Sequence, residues 1–132
     1  MFWKIYLIAL SIFLAIDALW LGVVAKKLYQ KELGFLMSSN INWISASVFY
    51  LLFVLGLVVF VINPALKEEQ WMTALLLGIL FGVITYATYD LTNLATIEGW
   101  PINVTIIDIF WGAFIASSVS LLTYFITTKL IL

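Results

Sequence analysis

Three aspartates lie inside apolar runs that no soluble helix would carry: Asp17, Asp90 and Asp108. A charge taken out of water without compensation is expensive, so a carboxylate in such a run is paired, neutralised or in use. The runs cover about residues 3–25, 41–62, 71–91 and 102–128. Each reaches the roughly 20 residues needed to cross a bilayer as a helix. Joined by short segments, neighbours must run in opposite directions, so the expectation is an all-α membrane protein: one domain, residues 1–132, an up-down-up-down bundle of four transmembrane helices. Composition agrees: the chain is 65% hydrophobic and 10% charged, far from the soluble average.

The same composition excludes much chemistry. There is no Cys and no His, which removes disulfides, thiolates, imidazole catalysis and the usual ligands of haem, zinc or iron–sulfur clusters. No cofactor motif is present and no metal set is expected, although a carboxylate-bound hard cation remains compatible. Six Lys against seven acidic residues give a net charge of −1, so nothing points to nucleic acid. The first run is too long for the apolar core of a signal peptide and has Asp17 within it, and it reads as a retained helix.

Asp17, Trp20 and Leu21 share one face of helix 1. Asp17 precedes Lys26 by about 13 Å of helix axis, so it lies below the membrane surface on the side of the first and third loops. Residues 26–33 are good helix formers, and Gly34 follows as a C-terminal cap. They read as an interfacial continuation, with Leu28 and Leu33 toward lipid and the Lys outward. Ser38-Ser39-Asn40 offers caps for helix 2. Asn63-Pro64 is expected to stop that helix, because proline breaks the backbone ladder.

In helix 3, Gly78, Gly82, Tyr86 and Asp90 recur every four residues. In helix 4, Thr105, Asp108, Gly112, Ala116 and Ser120 make a second small or polar stripe. Close approach through the glycines is expected to pack these two helices together. Gly99 and Pro101 suit the turn before helix 4, and Asp108 lies about 10 Å below the surface. Trp3, Trp71, Trp43 and Trp100 fall near helix ends and read as interfacial residues. Trp20 and Trp111 do not, since each follows a buried Asp by three residues. Their indole N–H groups could serve a carboxylate, and their faces a cation or flat ligand.

Matched depth makes Asp17, Asp90 and Asp108 candidate catalytic residues lining one cavity, with Trp20, Tyr86, Tyr89, Asn93, Trp100 and Trp111 as candidate substrate-binding residues. Asp17 and Asp108 are expected to share a proton or cation, because two carboxylates in one dry site cannot both ionise cheaply. Asp90 is expected nearer water, within reach of Lys26 or Lys27.

The ordered set Asp17-Ala-Leu-Trp-Leu-Gly22, Tyr86-Ala-Thr-Tyr-Asp-Leu-Thr-Asn-Leu-Ala-Thr96, Gly99-Trp-Pro101 and Asp108-Ile-Phe-Trp-Gly112 resembles a family of small bacterial inner-membrane proteins of unknown function. The resemblance covers essentially the whole chain. It implies that Asp17, Trp20, Tyr89, Asp90, Asn93, Trp100 and Asp108 are signature positions and that the chain sits in a bacterial inner membrane. It implies no activity. Three functions fit the residues: a site that binds or modifies a small, lipid-like or cationic substrate, with Asp as acid or base; a proton-coupled transporter; and a non-catalytic assembly subunit. Transport is disfavoured by the lack of a polar exit at the other end. Lys26, Lys27 and Lys31 face Lys4, Lys67 and Lys129 across the membrane, an even balance that gives no orientation. Dual insertion as an antiparallel homodimer is one reading. The other, preferred here, has both termini cytoplasmic and the cavity facing outward.

Overall fold

A computed structural model describes residues 1–37 and 41–132, so the caps expected at Ser38-Ser39-Asn40 lie outside the described residues. Among those described there is no strand. Four helices are long and apolar enough to span a membrane: α1 Phe2–Leu33, α2 Trp43–Glu68, α3 Trp71–Thr96 and α4 Ile102–Ile131. All four begin close to the expected positions and run further.

Three of the extensions pass through a widened π-helical turn. In α1 it covers Trp20–Ala25, in α2 Val58–Ile62 and in α4 Thr127–Ile131. The second corrects the expected stop at Asn63-Pro64: α2 continues to Glu68. Asn63 N–H reaches back five residues to the Val58 carbonyl, and a wider turn tolerates both the donor missing from Pro64 and the bulk of its ring. The chain then turns at Glu69, left-handed at φ 55°, and Gln70 is extended. In α3 nothing after Leu91 breaks the helix, and Thr96 Oγ1 donates to the Thr92 carbonyl at 2.8 Å. The helix ends at Ile97, and Gly99 takes a φ of 83° that a side chain would resist. Asn42 caps α2, its side chain accepting from Ser45 N–H at 3.1 Å. Gly34 closes α1 in right-handed rather than left-handed conformation, while Leu36 and Met37 N–H both donate to the Leu33 carbonyl.

In lipid, helix association depends on fit and polar contacts, since the outside is as apolar as the inside. α4 packs on all three other helices, most extensively on α3. The fully buried side chains of the core are aliphatic or Phe: Phe13, Leu57, Val58, Ile62, Ile115 and Val119. Ala9 lets α1 approach closely, and Tyr6 ties α1 to α2 by donating to the Leu51 carbonyl at 2.9 Å. Trp3, Trp43 and Trp71 are exposed, in keeping with an interfacial place, but Trp100 is buried. It folds inward because its indole N–H finds Thr105 Oγ1 at 3.1 Å and its ring meets the Tyr89 ring edge-on at 5.8 Å.

Candidate functional site

The α3–α4 contact sets the site. A Cβ on Gly78 would lie 2.8 Å from Ser117 Cα, and one on Gly82 would strike Gly112 and lie 2.9 Å from Ala113 Cα. A Cβ on Gly112 would strike the Tyr86 ring. The two backbones therefore touch, and the residue on α4 moves back as the residue on α3 moves forward. Two turns beyond Gly82, Asp90 comes to face Asp108. Asp90 is wholly buried, and neither of its carboxylate oxygens has a donor among the described residues. Asp108 is nearly as buried and accepts a hydrogen bond from the Tyr29 hydroxyl.

This arrangement corrects two expectations. The facing pair is Asp90 with Asp108, not Asp17 with Asp108. Lys26 and Lys27 do not fold back to Asp90, being exposed like every other Lys of the chain. The longer α3 is the reason: with five further helical residues, Asp90 lies deeper than a helix ending at residue 91 would put it.

Asp17 forms a second group. The Tyr50 hydroxyl and Trp111 indole are its nearest polar neighbours, though Trp111 Nε1 does not reach hydrogen-bonding geometry. Trp111 stacks on Trp20, with ring centroids 4.3 Å apart and planes 10° from parallel. The two indoles thus occupy each other's faces, which leaves no room for a flat ligand between them as they stand. Trp20 Nε1, beside the Tyr29 hydroxyl, is likewise buried without a partner among the described residues. The stacked pair links the two carboxylate groups, Trp111 on the Asp17 side and Trp20 on the Tyr29–Asp108 side.

Two cavities open here. One of about 410 Å³ is lined by Phe49, Thr85, Tyr86, Tyr89 and Asp108. The other, about 190 Å³, holds Asp17, Tyr29, Tyr50 and the two stacked Trp. Phe49 and Tyr86 line both and form the partition between them. Asp90 lines neither and sits behind Asp108. Asn93 lies one turn along α3 from Tyr89, beside its hydroxyl, and Trp100 braces Tyr89 from the loop. All nine candidate residues thus fall at one end of the bundle, but six of them line two chambers rather than one, while Asp90, Asn93 and Trp100 stand behind the walls.

Tyr29, Tyr50 and Phe49 escaped the sequence reading. In an ideal helix residue 29 lies about 120° round from residue 17, but a turn that absorbs one extra residue brings it back to about 20°. The widened turn at Trp20–Ala25 supplies that shift, so Ala25 and Tyr29 face inward. The continuation of α1 consequently folds onto α4, and Leu28 and Leu33 are partly buried instead of facing lipid. The other end of the bundle is less apolar than expected. A cavity of about 360 Å³ there includes Asn63, Lys67 and Thr127, and the buried hydroxyls of Ser120, Thr123 and Thr127 have no partner.

The family model described as predicted membrane protein (DUF2177) matches residues 2–125. No curated protein and no solved structure matches the chain.

Proposed function

For this chain, which belongs to the DUF2177 family of predicted membrane proteins, we propose an intramembrane binding site for a lipophilic amine or related organic cation. The observation that carries the reading is the Asp90–Asp108 pair: two buried carboxyl groups facing each other, with no donor on Asp90 among the described residues and no basic side chain nearby. Two adjacent negative charges are not sustained in such a place, so the pair holds a proton, or a cation answers it. Asp17 adds a third acid among Tyr50, Tyr86 and the stacked indoles. Carboxylates set among aromatic rings are the chemistry that recognises ammonium groups. The Tyr29 and Tyr50 hydroxyls orient the acids, and the proton held by Asp90 and Asp108 is released when the cation arrives.

Calorimetry in two buffers of different ionisation enthalpy tests this on the purified protein in detergent. Amines should bind with release of a proton, and both binding and release should be lost in Asp108→Asn with helicity unchanged. Failure of every amine to bind, or binding that survives Asp108→Asn without proton release, defeats the reading. A second reading, proton-coupled transport, is favoured by the cavity at the opposite end and the unpartnered hydroxyls of α4 that run toward it. It requires the intervening core of Phe13, Leu57 and Ile115 to part. Accumulation of an amine in proteoliposomes driven by a pH gradient distinguishes it from binding alone.

A further inference from the structure

On the outer side of the stacked tryptophans, a groove of about 560 Å³ runs between α1 and α4. Leu19, Val23, Phe114 and Leu122 form its apolar walls, all four facing out of the bundle. Its floor is Trp20 and Trp111, the same two rings that wall the Asp17 cavity. The lipid-facing groove and the carboxylate chamber are thus separated by one layer of indole. The chamber, about 190 Å³, falls below the roughly 300–1,000 Å³ of pockets that take a whole small molecule. It suits a head group. Both indole N–H groups in the wall are buried and lack an acceptor among the described residues, which is costly unless something supplies one. The widened turn of α1 begins at Trp20 itself, and such turns recur where a helix serves a site.

We infer that the ligand is a single-chain amphiphile that enters sideways from the bilayer, its aliphatic chain in the α1–α4 groove and its amine, with a neighbouring oxygen, reaching Asp17 as the stacked Trp20 and Trp111 part, in the chamber that also holds Tyr29, whose hydroxyl donates to Asp108. The oxygen takes the hydrogen bonds of the two indoles, the amine meets the carboxylate, and the chain covers the apolar walls. The inference rests on the cation-binding reading and adds to it the class of ligand and the route of entry. Bulk lipid would also cover these walls. It would not satisfy the indoles from the polar side.

The test compares ethanolamine with N-dodecylethanolamine, both titrated into the purified protein in detergent. The long-chain amine should bind at least tenfold more tightly. Filling the groove with Val23→Trp and Ser118→Trp together should reduce that ratio to below threefold, whereas Leu52→Trp, on the outer face of α2, should leave it unchanged. A dodecyl analogue brominated along its chain should quench tryptophan fluorescence in the wild type, with most of the quenching lost in the Trp20→Phe, Trp111→Phe double variant. A ratio that persists in the groove-filled protein overturns the inference while leaving the amine site standing. A groove-filled protein that changes its oligomeric state identifies the groove as an interface between copies and also overturns it. If neither amine binds, the underlying reading fails first.

Discussion

The middle of the bundle and its polar end are built on opposite terms. Around Phe13, Leu57, Val58, Ile62, Ile115 and Val119 the interior is hydrocarbon and buried. Around Asp17, Asp90 and Asp108 it is carboxyl, phenol and indole, with cavities between them and several polar atoms unpartnered among the described residues. In water the first kind of core would form from the hydrophobic effect alone. In lipid that force is absent between helices, so the middle is held by dispersion and fit. The polar end gives up fit for polar groups that stabilise little by themselves. An arrangement that spends stability in this way is what a site looks like, and stability and binding should therefore respond to mutation in opposite senses in the two regions.

The largest effect should come where both regions are anchored, at the α3–α4 contact. Gly82→Leu would drive a side chain into the Gly112 backbone, with Ala113 Cα only 2.9 Å from its Cβ. Backbone cannot rotate aside as a side chain can, so a cost of about 3 kcal/mol or more is expected, read as a collapse of the thermal midpoint in detergent. Gly22→Leu is the matched control, because nothing lies within 4 Å of a Cβ there, and its midpoint should hardly move. Next comes the hydrocarbon middle. Leu57→Ala removes a fully buried side chain and should cost about 2 kcal/mol, the lower part of the range for such truncations because the transfer component is weak in lipid. Amine affinity should stay within twofold. A tenfold loss of affinity would show that the two regions are coupled and break the comparison.

The apolar runs, the three acids and the glycine stripes were legible because they depend on counting alone. Four residues per step on α3 and on α4 places Gly82 and Gly112 on helix faces wherever the bundle sits. What could not be read depends on departures from the ideal helix. Pro64 looked like a terminus because the wider turn before it leaves no mark in composition: Val58–Ile62 is ordinary apolar sequence. Tyr29 looked like part of an outward-facing amphipathic piece because the extra residue absorbed at Trp20–Ala25 shifts its face. Asp90 was assigned to the wrong depth because a helix end was placed five residues early. Trp100 has the position of a belt residue and the burial of a core residue, a difference decided by Thr105 one turn into α4.

A change of opposite sign is expected at the polar end. Asp90→Asn replaces a carboxyl having no donor of its own with an amide that can donate to Asp108. Removing an awkward buried acid often stabilises a protein, here by about 1 kcal/mol, while amine binding should fall at least tenfold. The thermal midpoint and the titration are read on the same sample. An infrared band of a protonated carboxyl near neutral pH should be present in the wild type and vanish in both Asp90→Asn and Asp108→Asn. It should persist in Asp17→Asn. A destabilised Asp90→Asn protein would mean that the facing pair is a structural clasp, and the contrast between the two regions would lose its sharpest support.

The smallest effect tests how the polar end is closed. The loop between α3 and α4 is held over it by the buried Trp100, whose indole donates to Thr105 Oγ1 at 3.1 Å, while that hydroxyl donates in turn to the Pro101 carbonyl at 3.1 Å. Thr105→Val keeps the shape and removes the hydroxyl, leaving a buried indole N–H without its acceptor. A loss of about 1 kcal/mol follows from one unsatisfied buried donor. Because this hydrogen bond belongs to the cover and not to the hydrocarbon core, the loss should appear as local opening before global unfolding. Amide exchange at residues 97–100 should quicken severalfold in Thr105→Val, with exchange in α2 around Leu57 unchanged. Faster exchange at both places would mean that the loop is continuous with the main core, and that the polar end opens only when the whole bundle does.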